Sequence, residues 1–219
     1  FLFLPKPDFV ETMSSKLDMV LALARKGIAV PKTAPVDVDN KSLISGPFIV
    51  KPVHGRGSRN VFSLNKIHQV RSLCEALTDT ANSWIVQEKI IGDEYTVQMI
   101  ASPASELVAI LPIKVSEKRG STVSATMVED RSVIDYCKSI HEAFQPNGCY
   151  NIQLVKSASG EVLAFEINPR ISTTMVMAIA AGIDPFQSFL ERGVSTSSLV
   201  TVPKVHLHRH WINVITVEN

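Results

Sequence analysis

Toward the end of the 219-residue chain, two pairs of oxygen-bearing side chains recur at a spacing that a metal site can use. Glu166 and Asn168 are separated by one residue, so on a strand both project from the same face. Asn151 and Gln153 repeat the device on a segment that forms a hairpin with theirs through the turn Ser157-Ala158-Ser159-Gly160. Four oxygen donors would then converge, with Glu166 the only certain charge. Magnesium takes one or two protein carboxylates and fills its other positions with water and nucleotide phosphates. Glu166, with carbonyl oxygens from Asn168 and Gln153, therefore suits a metal that arrives with ATP. The same spacing also suits the polar solvent face of a hairpin.

Arg170 follows directly, where a guanidinium can hold a phosphate by paired hydrogen bonds. Upstream, Lys51 ends the apolar run Phe48-Ile49-Val50 and precedes His54-Gly55-Arg56-Gly57-Ser58-Arg59. There the glycines let backbone N–H groups approach a phosphate and the arginines supply charge. No Gly-Lys-Ser/Thr follows, so this is not a P-loop, and an ordinary flexible turn would read the same way.

The elements that must position these residues are readable around them. Leu17, Val20, Leu21 and Ala24 recur at helical spacing, with Ser14 as a cap, Gly27 as a stop and Pro31 beyond it. Phe48–Val50, Val61-Phe62 and Trp84–Val86 read as strands, and Asn65 can cap a helix carrying Ile67, Val70, Leu73 and Leu77. From Glu94 the chain alternates, Tyr95, Val97 and Met99 on one face and Glu94, Thr96 and Gln98 on the other; Leu107 to Ile113 follows a turn at Pro103. A helix through Val133, Ile134, Cys137 and Ile140 leads into the metal hairpin, and short helices follow near Thr174 to Ala181 and Phe186 to Leu190.

Composition excludes several classes. Lys plus Arg (22) nearly balances Asp plus Glu (21), so no strong field draws the chain to nucleic acid or an anionic membrane. Three widely spaced cysteines without a Cys-x-x-Cys argue against a disulfide framework and a zinc knuckle, and favour the cytoplasm. No apolar run reaches the roughly 18–20 residues needed to span a bilayer. The start, Phe1 to Pro5, lacks an initiator Met and reads as the beginning of a fragment.

Taken in order, four segments resemble the ATP-grasp superfamily, in particular its carbamoyl-phosphate-synthase-like branch. They are Lys16 opening a helix that ends Gly27-Ile28-Ala29-Val30-Pro31; Phe48 to Pro52 with its glycine loop; Gln87-Glu88-Lys89-Ile90-Ile91-Gly92-Asp93-Glu94-Tyr95-Thr96-Val97; and Gly148 to Gln153 with Phe165 to Arg170. The resemblance implies an α+β fold of two lobes with the nucleotide between them, a small lobe over residues 1–91 and a large lobe over 92–219. It further implies a preceding α/β domain to which nothing here corresponds.

By that resemblance Lys16 and Lys51 contact the nucleotide, and His54, Gly55, Arg56, Gly57 and Ser58 fold over its phosphates. Glu88 with the backbone of Lys89, Ile90 and Ile91 forms the adenine hinge, and Glu94 accepts from the ribose. Gln153, Glu166 and Asn168 hold magnesium, for which manganese could substitute, and Arg170 binds phosphate. Many relatives carry a carboxylate where Gln153 stands; the carbamoyl-phosphate-synthase-like branch uses Gln.

Lys114, Lys118, Arg119 and Gly120 precede the Ser/Thr-rich stretch 121–126 where related enzymes face the phosphates; Lys114 and Arg119 are candidates for that role, and a solvated charge run is the alternative. His206, His208 and His210 alternate, but no fourth zinc ligand is evident. The expected activity is an ATP-dependent carboxylate–amine ligase acting through an acyl phosphate, with a small-molecule carboxylate and an amine as partners and a homodimer allowed. The rival readings are carbamoyl-phosphate-type phosphorylation of bicarbonate or carbamate, and a non-catalytic ATP-binding module.

Overall fold

The computed structural model describes residues 3–36, 44, 46–55, 57–76, 83–190 and 204–210. The chain opens with two short helices where the sequence suggested one. Pro7 starts α1 (Pro7–Ser14), and α2 (Lys16–Arg25) begins after Ser15, whose side chain accepts the Asp18 N–H at 3.2 Å. The cap is thus Ser15 and not Ser14, whose hydroxyl donates back to the Val10 carbonyl. A positive φ of 72° at Gly27 turns the chain out of α2, a conformation open to glycine at no steric cost.

A four-stranded antiparallel sheet follows in the order β1-β4-β2-β3, from β1 (Thr33–Pro35), β2 (Phe48–Pro52), β3 (Phe62–Leu64) and β4 (Trp84–Glu88). The helix α3 (Ile67–Ala76) lays Val70 and Cys74 on it, against Phe48, Val50, Trp84 and Val86. Ahead of α3 the side chain that receives free amides is Gln69, whose Oε1 accepts from both Asn65 and Lys66 at 3.0 Å; the cap expected at Asn65 is supplied from within the helix.

The larger sheet is β10-β7-β6-β5-β8-β9, antiparallel throughout: β5 (Gly92–Ala101), β6 (Leu107–Arg119), β7 (Ser121–Met127), β8 (Gly148–Ser157), β9 (Val162–Asn168) and β10 (His206–His208). Its two faces are divided by the period-2 alternation of β5. Tyr95, Val97 and Met99 join a core with Ile152, Leu154 and the helix α4 (Arg131–Phe144), which contributes Val133, Cys137 and Ile140. The opposite face carries Thr96 and Gln98, then merges into a second core of Ile100, Leu111, Ile113 and Met175 beneath α5 (Met175–Ala180). The helix α6 (Pro185–Leu190) follows.

The chain passes from the smaller sheet to the larger between β4 and β5. The helices α1 and α2, assigned to the small lobe from sequence, bury Phe9, Met13, Met19 and Leu23 in the core of the larger sheet. Their apolar stripe at helical spacing finds its largest complementary surface there, and each fully buried side chain of this kind contributes about 1.5–3 kcal/mol.

Candidate functional site

The β8–β9 hairpin forms as its alternation requires. Across the β8–β9 pair Asn151 stands opposite Asn168 and Gln153 opposite Glu166, so the four side chains share one face. They do not act as four equal donors. Asn151, 1% exposed, donates from Nδ2 to the Arg170 carbonyl at 2.8 Å and accepts the Asn168 Nδ2 at 3.3 Å. Asn151 therefore braces the backbone carrying Arg170, and it engages Asn168 through the amide nitrogen and not the oxygen. Gln153 Oε1 accepts from Lys118 at 3.1 Å.

Between the sheets lies a cleft of about 280 Å³ whose lining includes Lys16, Lys51, Gly55, Gly57, Ser58, Glu88, Lys89, Ile90, Glu94, Gln153 and Glu166. Segments far apart in sequence are thus brought to one space. Lys51 is 4% exposed, its ammonium donating to Gln87 Oε1 at 2.9 Å and to the Phe165 carbonyl at 3.1 Å, with the Phe165 ring 5.4 Å away. Burial drives its pKa down to about 8, an effect that Glu166 opposes and Lys16 and Lys118 reinforce. Lys16, also buried, donates to the Gly55 carbonyl at 3.3 Å and so ties α2 to the glycine loop. Gly57 and Ser58 take positive φ values of 64° and 56°, which curl that loop toward the larger sheet. A Cβ added at Gly120, in the β6–β7 turn, would stand 3.7 Å from the Gly57 carbonyl oxygen, so loop and turn are in near contact.

In the segment expected to form the hinge, Glu88 donates its N–H to the Lys32 carbonyl and Lys89 its N–H to the Pro47 carbonyl, so both amides are committed within the smaller lobe. Of the expected hinge groups, the Lys89 amide is therefore not free for a base, while Ile90 lines the cleft with no N–H partner among the described residues. Ile91 is 67% exposed and lies off the cleft. His54 is likewise off it, its Nδ1 3.2 Å from the Ser14 carbonyl. Arg56 lies outside the described residues.

The cleft continues into a second chamber of about 200 Å³, and the two share Gly57, Ser58, Lys118, Gln153 and Glu166. Asn168 and Arg170 line the second chamber alone. Here the expectation for the basic run is corrected. Lys114 stands opposite Tyr95 in the register, on the sheet face turned from the site, and pairs with Asp93 at 2.7 Å. Arg119 pairs with Glu117 and is largely exposed. Neither lines the cleft or the chamber. Lys118 lines both, because irregularities in the β6–β7 register between Val115 and Lys118 interrupt the alternation that would keep it on the face of Lys114. Gln87 was also missed: it is one residue of a buried strand, and its place in the cleft wall, accepting from Lys51 and donating to Thr33 Oγ1 at 2.7 Å, marks it. The imidazoles of His206 and His208 reach Thr126 and Ser124 on an exposed edge, and no cluster of three His, Cys, Asp or Glu side chains able to hold a metal occurs among the described residues.

Comparison with known proteins finds the same fold in solved structures. The structure of biotin carboxylase from Campylobacter jejuni superposes with a TM-score of 0.73 at 14% identity, over 93% of this chain and 52% of that one. N5-carboxyaminoimidazole synthase from Aspergillus clavatus, in complex with ADP and 5-aminoimidazole ribonucleotide, gives 0.70 at 14%, over 85% and 52%. L-amino acid ligase from Bacillus licheniformis gives 0.62 at 16%, over 81% and 46%. The chain thus spans about half the length of these structures. No match was found among curated proteins. The two antiparallel sheets and the cleft between them are the ATP-grasp fold, and a family model described as "ATP-grasp in the biosynthetic pathway with Ter operon" matches residues 80–217, more than half of the chain; the protein belongs to that ATP-grasp family.

Proposed function

We propose that the cleft binds ATP and that the protein activates a carboxylate as an acyl phosphate for attack by an amine. The observation that carries this reading is the continuity of the cleft with the polar chamber through Lys118, Gln153 and Glu166. A nucleotide held along the cleft would end with its terminal phosphate where Glu166, the Gln153 and Asn168 amides and Lys118 meet.

In this assignment Ile90 and Glu88 face the base, Glu94 the ribose, and Lys16, Lys51, Gly57 and Ser58 the phosphates. The donor set of Glu166, Asn168 and Gln153 fits magnesium: one carboxylate, one amide oxygen whose own nitrogen is held by Asn151, and a second amide oxygen that now accepts from Lys118. A bound divalent ion would offset phosphate charge and hold the transferring group in line. Lys51, Lys118 and Arg170 add positive charge around it. A carboxylate oxygen of the substrate attacks the γ-phosphorus, the bond to ADP breaks, and an amine then displaces phosphate from the acyl carbon. The chain supplies charge, orientation and shelter from water, and no side-chain nucleophile is required.

Hydroxylamine supplies the test, because it captures an acyl phosphate as a hydroxamate whatever the natural amine is. ADP and hydroxamate formed together, only with Mg-ATP and a carboxylate, support the ligase. Tight Mg-ATP binding by the full chain with no hydroxamate from any acid in a broad panel would return the assignment to a nucleotide-binding module.

A further inference from the structure

The chamber beyond the cleft has a chemistry of its own. None of its lining side chains is apolar: apart from glycines it is built of hydroxyls, amides, two cations and Glu166. Thr96 and Thr122 line the chamber; the residues are 5% and 6% exposed, and their hydroxyls, which make no hydrogen bond to another described residue, are not sealed from its solvent. Water in the chamber satisfies such hydroxyls, and a ligand that displaces that water must supply hydrogen bonds of its own.

A second pair stands nearby. The Gln98 amide nitrogen donates to both Ser172 Oγ and Thr174 Oγ1, and those two oxygens are 2.6 Å apart. Gln98 makes both oxygens acceptors. Only one O–H fits between them, so the other remains a donor, held in place by a fully buried amide. Lys118 and Arg170 give the chamber positive charge, and its volume of about 200 Å³ is below the roughly 300–1,000 Å³ of ordinary ligand sites.

Building on the ligase reading above, we infer that the chamber admits a small carboxylic acid bearing hydroxyl or amino substituents, which Thr96, Thr122 and the Ser172–Thr174 pair recognise. An unsubstituted aliphatic or aromatic acid would leave those hydroxyls dry and unpaired. A site built to hydrogen-bond a substituent discriminates strongly against the analogue lacking it.

The test uses matched pairs: DL-glycerate against butyrate, and L-serine against L-2-aminobutyrate. Each is titrated calorimetrically into the protein saturated with magnesium and a non-hydrolysable ATP analogue. The hydroxyl-bearing member should bind at least about tenfold more tightly, the effect of two ordinary hydrogen bonds. Thr122→Val should cut that ratio severalfold, and Ser172→Ala serves as a second variant should Thr122→Val fail to fold. Equal binding within pairs, tighter binding of the methyl member, no binding of either, or an unchanged ratio in the variants would each overturn the inference. Hydroxamate assays on the same acids keep the two readings apart. Product from the unsubstituted acids sinks the selectivity and leaves the ligase standing, whereas selective binding with no hydroxamate sinks the ligase and leaves the chamber.

Discussion

The Lys118 ammonium meets the Glu94 carboxylate at 2.6 Å, and the same nitrogen reaches Gln153 at 3.1 Å. One side chain thus joins the ribose-facing acid of the proposed nucleotide cleft to the proposed metal-binding amide, at the wall shared by cleft and chamber. A bound nucleotide would replace both contacts with phosphate and hydroxyl, so Lys118 is placed to exchange partners.

Lys118→Met should therefore reduce ADP formation by about 100-fold, within the range seen when one transition-state donor is removed. Lys114→Ala and Arg119→Ala should remain within about twofold of wild type, since surface ion pairs of this kind contribute little. Steady-state rates of the three variants decide it; a larger loss at Lys114 or Arg119 than at Lys118 would reverse the assignment.

Lys51 links stability and binding with opposite signs. Its pKa in the fold is about 8, against 10.5 for a free lysine, so between these values the unfolded chain holds more protons than the native one. Stability from this group accordingly rises as pH increases from about 8 to 10.5, while ATP affinity falls over the same interval because the neutral amine no longer attracts phosphate. Thermal melts and ATP titrations across that range test both slopes, and Lys51→Met should abolish both. At pH 7 Lys51→Ala should weaken ATP binding by roughly 1.5–3 kcal/mol, a charged hydrogen bond.

Glu166→Gln retains the shape of the site and removes its single carboxylate. Magnesium-dependent turnover should fall by about 100-fold or more, while nucleotide binding through the hinge survives in part. Titrating magnesium into wild type and variant with ATP present shows whether the metal response disappears; equal responses would exclude Glu166 as a ligand.

Gly92 opens β5 where the chain passes from hinge to sheet. A Cβ there would overlap the Lys156 carbonyl on the neighbouring strand. Backbone cannot move aside as a side-chain end can, so Gly92→Ala should destabilise by about 1–3 kcal/mol. Differential scanning calorimetry reads the shift, and an unchanged melting temperature would show that the strands separate there without cost.

Alternation, helical spacing and the run of charged residues are local properties, and what rests on them was legible in the sequence. The β8–β9 hairpin, the shared face of Gln153, Glu166 and Asn168, the strand ending at Lys51 and the position of the glycine loop all follow from period and turn chemistry. Properties that depend on which surface meets which were not. That α1 and α2 pack on the larger sheet, that the Lys89 amide is consumed by Pro47, that Asn151 braces the Arg170 backbone and that Gln87 holds Lys51 all arise from contacts between distant segments. Lys118 marks the boundary most sharply. Strict alternation puts it beside Lys114, on the wrong face, and the register shifts in β6–β7 bring it into the site. Such irregularities are settled by the fit of one strand to its neighbour, which no single segment contains.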